Sequence, residues 1–334
     1  MVQDNQILEG LSPQASGTNS APQDGKSTAE SLDRVAKNDV TVVLPVLNEE
    51  KGVVAVIDDV LQNGYQNILV VDGYSTDNTV QAAQEKGVTV VPQHGRGKSG
   101  AIKTAVEQVS TPYLLVMDGD FTYDAADIER FLSHATRYDE IVGSRSMKNV
   151  SRLHRVGNAA ISAVFNALFG TTFSDVCSGM YLLKSKPVRH LTLRTTGFSI
   201  EVELLAQMSV QGRVTEVPIN YRKRIGEAKL GTWMAGGDIM KTIFELARLY
   251  NPVFLFSVTT ASAAIPGLGI MLWVLWLWIT GHEHIFHSAW ALVGGMLLLL
   301  ASQAFIIGTV ALLLKRTELR IERIVRSEIE GDNL

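Results

Sequence analysis

Two aspartates end a hydrophobic run in the segment TPYLLVMDGDFTYDAADIERF, residues 111 to 131. Asp118 and Asp120 are separated by one residue, and because side chains alternate along an extended chain, both carboxylates point to the same side. Mg²⁺ and Mn²⁺ prefer oxygen ligands, and they are usually held by one or two carboxylates together with substrate phosphates. The pair therefore predicts Mg²⁺ or Mn²⁺ and a phosphorylated ligand. Capping of the helix that starts near Ala125 is the alternative role, for which Asp124 is better placed.

Short β-branched segments alternate with helical stretches between residues 39 and 231. The predicted strands cover residues 40 to 46, 67 to 72, 88 to 91, 113 to 118 and 140 to 143. This alternation is typical of an α/β domain in which helices wrap a mostly parallel sheet. In such sheets ligands bind beyond the carboxyl ends of the strands, and those ends carry Asn48, Glu49, Asp72 and the aspartate pair.

The segment PQHGRGKSG, residues 92 to 100, resembles the end of a phosphate-binding P-loop. That pattern requires glycine at position 92, whereas Pro92 has no N–H and a fixed φ. We therefore interpret the glycines as a flexible loop over the cleft, with Lys98 near a phosphate.

Two long uncharged segments, residues 253 to 279 and 289 to 314, follow the predicted domain. As helices they are each about 40 Å long, against a bilayer hydrocarbon core of about 30 Å. The short connection between them predicts a transmembrane hairpin over residues 251 to 315. Basic residues on both flanks predict a multi-pass protein of the cell membrane, with residues 1 to 250 and the basic tail 316 to 334 in the cytoplasm. A pair of buried core helices is the alternative.

The remaining segments give weaker indications. Residues 1 to 38 are polar and lack apolar periodicity, which predicts a disordered tail. A single cysteine, Cys177, excludes an internal disulfide. Residues 232 to 250 have apolar residues at helical spacing with Lys241 and Arg248 nearby, which predicts an amphipathic helix at the membrane interface. A connector packed on the preceding domain is the alternative.

Six motifs between residues 39 and 231 resemble those of family 2 glycosyltransferases. In chain order they are LPVLNEE, VVDGYSTDNT, GRGKSGAI, VMDGDFTY, IVGSR and DVCSGMYLL. Within this family the chain is similar to dolichyl-phosphate sugar synthases and their bacterial undecaprenyl-phosphate counterparts. The resemblance implies a GT-A fold, which is Rossmann-like with a mostly parallel sheet.

The resemblance also implies roles at the nucleotide pocket. Pro45, Asn48 and Glu49 match the motif that lines this pocket, and Asp72 matches the acidic group that contacts the base or ribose. Lys98 belongs with these residues as a binding group for the sugar nucleotide.

Metal and acceptor sites follow from the same resemblance. Asp118 and Asp120 match the motif in which a metal bridges the diphosphate, with Thr122 as an uncertain third ligand. Arg145 and Arg155 resemble the arginines that receive the acceptor phosphate, so Asp120, Arg145 and Arg155 are the expected catalytic residues.

A basic loop is the last part of the chain that resembles the family. Arg222, Arg224 and Lys229 resemble the loop that folds over the diphosphate. Gly73 stands where many members have a second aspartate, and Thr122 stands where dolichyl-phosphate mannose synthases have glutamine. These two departures slightly favour UDP over GDP as the nucleotide.

Two further acidic residues, Asp175 and Glu201, lie where members of the family carry acidic side chains. We expect each either to take part in the reaction or to orient loop backbone or a partner arginine. A serine that some members use for the acceptor phosphate is replaced by Ala159, so that contact would come from Arg155, Asn158 or Ser162.

The implied activity is an inverting transfer of a single hexose or N-acetylhexosamine from a UDP- or GDP-linked sugar to a dolichyl or undecaprenyl phosphate. A processive or other lipid-acceptor polysaccharide synthase of the same family is one alternative, and a non-catalytic nucleotide-sugar-binding membrane protein is another. The expected partners include the bilayer and no nucleic acid. A homo-oligomer formed through the hairpin is left open.

Overall fold

The computed structural model describes five stretches of the chain, namely residues 35 to 146, 152 to 195, 199 to 226, 232 to 281 and 286 to 331. Most of the predicted disordered tail and Lys229 of the predicted basic loop lie outside the described residues. A short 3-10 helix, Lys37–Asp39, leads into the first strand. The Lys37 ammonium donates a hydrogen bond to the Asn63 carbonyl at 2.8 Å, so the packed domain already includes residues before position 39.

Within the described residues, seven strands form one sheet. They are β1 (Val40–Val46), β2 (Ile68–Asp72), β3 (Thr89–Pro92), β4 (Tyr113–Val116), β5 (Glu140–Arg145), β6 (Tyr181–Lys184) and β7 (Val214–Ile219). Their order is β3-β2-β1-β4-β6-β5-β7. Strand β6 is antiparallel to both of its neighbours, and all the other pairings are parallel. The predicted mostly parallel sheet is confirmed, whereas β6 and β7 were not predicted.

Helices connect the strands and cover both faces of the sheet. They are α1 (Glu50–Gln62), α2 (Thr79–Glu85), α3 (Gly97–Gln108), α4 (Ile128–Leu132), α5 (Arg152–Phe169), α6 (Ser185–Arg189), α7 (Ile200–Gln211), α8 (Thr232–Tyr250), α9 (Pro252–Ile279) and α10 (Phe286–Gly331). The Asp124 carboxylate accepts a hydrogen bond from the Ala126 amide at 3.0 Å and so caps the 3-10 turn Ala125–Asp127. Asp124 is therefore the capping residue, and the cap requires neither Asp118 nor Asp120.

The core consists of two apolar clusters, one on each face of the sheet. Val43 of β1 belongs to the cluster that also takes residues from α3, α5, α7 and α8. Val42 and Leu44 belong to the opposite cluster, together with residues from α1 and α4. Alternate residues of one strand thus face opposite clusters, and because both faces are covered the strands are apolar throughout.

Helix α8 packs some of its apolar residues on the preceding domain. Ile243, Leu246 and Ala247 are buried in the first cluster, whereas Phe244 and Leu249 remain exposed. The described part of this helix is therefore packed on the preceding domain, as expected for a connector rather than for an amphipathic helix at the membrane interface. Its position at a membrane interface stays a prediction.

Helices α9 and α10 pack against each other in antiparallel fashion. A Cβ atom added at Gly267 would lie 3.1 Å from Leu297 Cβ, and one added at Gly308 would lie 2.5 Å from Phe256 Cβ. Small residues at these positions permit close approach of the two backbones. In the apolar stretches Phe254–Ile279 and Ser288–Leu314, only 11% and 17% of an apolar 18-residue segment are buried. The alternative interpretation was a pair of buried core helices, whose side chains would be mostly buried. The exposure of these two helices disfavours it.

A buried carboxyl at the start of β5 makes the stability of the domain depend on pH. Glu140 is 2% exposed, and its Oε2 atom has no hydrogen-bond partner within the described residues. Burial raises the pKa of this carboxyl from 4.5 to about 8. The unfolded chain therefore releases a proton that the folded domain retains, so the free energy of unfolding decreases as the pH rises from about 4.5 to about 8.

Glu140→Gln removes this titration and keeps the shape of the side chain. We expect the variant to unfold roughly 5 °C above the unaltered chain at pH 9 and at nearly the same temperature at pH 5. Calorimetry or circular dichroism at the two pH values measures the difference. The exposed Glu107, changed to Gln, serves as the control, and an equal shift at both pH values would contradict the assignment.

Candidate active site

The loops after β1, β2 and β4 meet at one edge of the sheet. The register pairs Val46 with Asp72 and Val43 with Val116, so the carboxyl ends of these three parallel strands lie side by side. The structure thereby brings together the polar residues that the sequence places at strand ends. This edge is where ligands bind in open parallel sheets.

Asp120 is held in a fixed orientation at this edge. Its side chain is largely buried, and its Oδ1 atom accepts hydrogen bonds from the Thr122 amide at 3.1 Å and the Thr122 hydroxyl at 2.5 Å. Its Oδ2 atom lies 3.2 Å from Nη1 of Arg224. Burial and the charge of Asp118 raise the pKa of Asp120, while the Thr122 bonds and Arg224 act against them. Thr122 therefore orients Asp120, and its role as a direct metal ligand stays a prediction.

Asp118 forms an ion pair with a buried lysine. Its Oδ1 atom is 2.5 Å from the Lys98 ammonium, which is also 2.5 Å from Oε1 of Glu201. Burial opposes the charge on Lys98, but the two carboxylates outweigh it and raise the pKa of this lysine well above its usual value. A Cβ atom at position 179 would lie 2.7 Å from Cγ of Asp118, so Gly179 leaves the room that this carboxylate occupies.

The two aspartates fit a divalent cation. Both follow β4, and each already contacts a cationic side chain, Lys98 at Asp118 and Arg224 at Asp120. Within the described residues, His, Cys, Asp and Glu form no group of three that could hold a metal. A cation at this pair would therefore take its remaining ligands from phosphate oxygens or water, as Mg²⁺ commonly does.

Hydrogen bonds tie the loops after β1 and β2 together. The Asn48 side chain accepts a bond from the Thr76 amide at 2.7 Å, and the Glu49 amide donates to the Thr79 hydroxyl at 2.8 Å. Asp72 accepts bonds from the amides of Tyr74 and Ser75. Pro45 lies on β1 beside these loops, opposite Val71 of β2. The predicted pocket residues are thus adjacent, and their contacts with a nucleotide remain predictions.

Backbone strain is concentrated at the same edge. Asn48, Tyr74 and Phe121 have φ angles of 50°, 66° and 65°. Within the described residues, no other residue apart from glycine has positive φ. One such residue follows each of the three strands, in a conformation that costs about 1 kcal/mol or more for a residue other than glycine.

The segment after β7 lies along the aspartate loop. The Arg222 amide donates to the Thr122 carbonyl at 2.7 Å, and the Ile225 amide donates to the Asp120 carbonyl at 3.0 Å. Between these anchors Arg224 reaches the site, where its guanidinium bonds to Glu49 and Asp120. The backbone pairing therefore positions the arginine that contacts the Asp120 carboxylate.

Arg222 makes contacts of a different kind. Its two terminal nitrogens pair with Asp59 at 2.8 Å and Asp124 at 2.7 Å, and its guanidinium lies 4.7 Å from the centre of the Phe121 ring. Arg222 thus fixes the segment that carries Arg224, and its contact with a diphosphate stays a prediction.

The two predicted acceptor arginines have different environments. Arg145 is mostly buried and makes a bidentate contact with Asp175, at 2.6 Å from Nε and 2.8 Å from Nη2. Asp175 therefore orients an arginine, which is one of the two roles expected for it. Arg155 is exposed on α5. The Ser162 hydroxyl contacts the 174–176 loop, 3.3 Å from the Ser174 carbonyl and from the Val176 amide.

The sequence did not identify two residues of the site, Asp59 and Gly179, or the partner of Glu201. Asp59 lies within a helix, 163 residues from its partner Arg222, and no sequence signal marks it. The partner of Glu201 was expected to be backbone or arginine, and it is Lys98. Gly179 was visible only as part of the motif DVCSGMYLL.

Known proteins are similar to this chain in sequence and in fold. The model of glycosyl transferase family 2 matches residues 41–190. Glycosyltransferase AglJ of Haloferax volcanii is 34% identical over 81% of this chain and 92% of the relative. A dolichyl-phosphate hexose transferase of the same organism is 32% identical over 63% of this chain and 94% of the relative.

Solved structures show the same architecture at lower identity. Glucosyl-3-phosphoglycerate synthase from Mycobacterium tuberculosis, solved with Mn²⁺, UDP-glucose and phosphoglyceric acid, superposes with a TM-score of 0.54. It is 18% identical, and the match covers 69% of this chain and 86% of that chain. The same enzyme has also been solved with Mg²⁺ and UDP, with a TM-score of 0.53. At this identity the likeness shows the fold, a GT-A domain, as expected.

Proposed function

The chain belongs to glycosyl transferase family 2, and we propose that it transfers one hexose or N-acetylhexosamine from a nucleotide-diphosphate sugar to a polyprenyl phosphate. The observation that carries the proposal is the Asp118 and Asp120 pair at the end of β4, with Lys98 and Arg224 in contact with its carboxylates. The similarity to a dolichyl-phosphate hexose transferase and the exposed apolar helices support a lipid acceptor.

The donor half of the reaction requires stabilisation of a leaving diphosphate. A divalent cation bound at Asp118 and Asp120 would supply Lewis-acid stabilisation of that charge. Arg224 lies beside Asp120, where its guanidinium adds a fixed positive charge next to the diphosphate. The pocket residues Asn48, Glu49 and Asp72 lie at the neighbouring strand ends and would bind the nucleoside.

The acceptor half requires a phosphate rather than a hydroxyl. A phosphate monoester is already an anion near neutral pH, so the reaction needs no side chain that removes a proton from the nucleophile. Arg145, whose planar fork is preorganised by Asp175, and the exposed Arg155 would orient this anion. A single in-line displacement inverts the anomeric centre, so an α-linked donor gives a β-linked product.

The membrane location follows from the acceptor. A polyprenyl phosphate keeps its tail in the bilayer and its phosphate at the surface, so the cleft must lie against that surface. Helices α9 and α10 are long and apolar enough to cross a membrane. Basic flanks favour a cytoplasmic catalytic domain.

The proposal is tested with the full chain in membranes, Mg²⁺ or Mn²⁺, labelled UDP- and GDP-sugars, and a polyprenyl phosphate. We expect one labelled sugar per lipid and a β linkage in the product. The same polyprenol without its phosphate is the matched control and should accept no sugar. A polymer would favour a processive synthase, bound nucleotide without product would favour a binding protein, and an α linkage would contradict the inverting mechanism.

A further inference from the structure

Lys98, Asp118 and Glu201 form a buried cluster of three charges. Lys98 lies in the first turn of α3, Asp118 follows β4, and Glu201 lies in the first turn of α7. The side chains of Lys98 and Glu201 are each 10% exposed, and the ammonium lies 2.5 Å from a carboxylate oxygen of both acidic residues. Tyr181, whose buried hydroxyl has no hydrogen-bond partner within the described residues, also interacts electrostatically with this cluster.

The lysine and a divalent cation compete for the same carboxylate. Both are attracted to Asp118, and a unit charge a few ångströms from a partly buried cation site changes the affinity for that cation measurably. Without Glu201, the ammonium would have Asp118 as its remaining acidic partner in this cluster. With Glu201, the cluster carries a net negative charge that attracts a second cation.

We propose that Glu201 is a positioning residue that holds the Lys98 ammonium and so keeps Asp118 able to bind a divalent cation. This inference rests on the proposed function, because it assumes that the Asp118 and Asp120 pair binds the cation of a nucleotide sugar. When the cation binds, Lys98 keeps its ion pair with Glu201 and remains beside the diphosphate. Glu201 touches neither the substrate nor the cation.

The two partners of the ion pair are expected to change cation affinity in opposite directions. Mn²⁺ binding is measured by electron paramagnetic resonance on the full-length chain in detergent, without a donor. Glu201→Gln should raise the Kd for Mn²⁺ about tenfold, since it removes one negative charge and strengthens the competitor. Lys98→Met should lower this Kd, because the competitor is gone. Glu107→Gln, an exposed change on the same helix as Lys98, should leave it unchanged.

A double variant separates positioning from a structural role. Lys98→Met combined with Glu201→Gln should bind Mn²⁺ at least as tightly as the unaltered chain, because without the ammonium Glu201 has nothing to hold. The inference is overturned if Glu201→Gln leaves the Kd unchanged, if both single variants weaken binding, or if the double variant is weaker than either single variant.

The same experiment distinguishes this inference from the proposed function. The Mn²⁺ titrations do not depend on turnover, so an unaltered chain that binds Mn²⁺ but transfers no sugar to a polyprenyl phosphate contradicts the function and leaves the inference standing. An unaltered chain that transfers sugar but binds no Mn²⁺ contradicts the inference and the role of the cation, and leaves the transfer of sugar to the polyprenyl phosphate standing. Thermal unfolding of each variant identifies any loss of affinity that reflects loss of the fold.

Discussion

Replacing Asp118 and Asp120 together by asparagine is expected to lower sugar transfer at least about a thousandfold while the fold is retained. The change removes both proposed anionic ligands of the divalent cation, and with them the expected stabilisation of the departing diphosphate. Asparagine has nearly the same shape, and its side-chain oxygen can still accept the two Thr122 bonds that hold residue 120. The loss should therefore appear in turnover rather than in folding.

Single-turnover transfer of labelled sugar to a polyprenyl phosphate, with the chain in nanodiscs, measures this effect. Asp58→Asn is the matched control, because Asp58 forms a partly exposed ion pair with Lys86, a residue that is not part of the candidate site. Near-normal turnover in the folded double variant would exclude cation-assisted departure of the diphosphate as the basis of the reaction.

Changing Arg145 to glutamine is expected to lower the free energy of unfolding by about 3 to 5 kcal/mol. Asp175 is fully buried, and the guanidinium of Arg145 supplies two of its hydrogen bonds. Removing the arginine leaves an uncompensated charge in the interior, which is far more costly than losing a pair on the surface. Chemical denaturation of the variant in detergent measures the change.

Arg155→Gln provides the comparison on the neighbouring helix. Arg155 is exposed, so its replacement should change stability by less than about 0.5 kcal/mol, while raising the KM for the acceptor phosphate if the residue binds it. Asp175→Asn leaves the Arg145 guanidinium without its carboxylate, but it should cost less than Arg145→Gln, because the Arg145 side chain is 17% exposed whereas Asp175 is fully buried. Equal stabilities of the Arg145 and Arg155 variants would show that the buried pair does not hold this part of the fold.

The sequence predicts five of the seven strands in the described sheet, β1 to β5, and does not predict β6 or β7. Strands β1 to β5 are apolar, β-branched runs bounded by polar residues, so their pattern is visible locally. Strand β6 is only four residues long, YLLK, and its antiparallel direction is set by its partners β4 and β5 rather than by its own residues. Strand β7, VTEVPI, contains Glu216 and Pro218 and pairs along β5 alone, so it lacks the composition of a central strand.

In the site, too, some features are visible in a short stretch of sequence, whereas others depend on contacts between residues far apart in the chain. The spacing of Asp118 and Asp120 predicts that both lie on one side of a strand, but the strand ends at Val116, so the loop after it positions the two side chains instead. The contacts that hold them come from far along the chain, as with Lys98 and Glu201 or Asp59 and Arg222. Such pairs exist only once the sheet has brought their elements together, and neither residue type nor spacing indicates them. The resemblance to a family supplied part of this information, but not the partner of each charge.

The positive φ angles of Asn48, Tyr74 and Phe121 have a consequence for how this protein could be altered. Glycine would relieve the backbone at these positions, but it would also delete contacts such as the Asn48 bond to Thr76 and the Phe121 contact with Arg222. It would further increase the entropy of the unfolded chain. Substitution by glycine therefore offers no route to greater heat resistance here, and gains in durability must come from elsewhere in the domain.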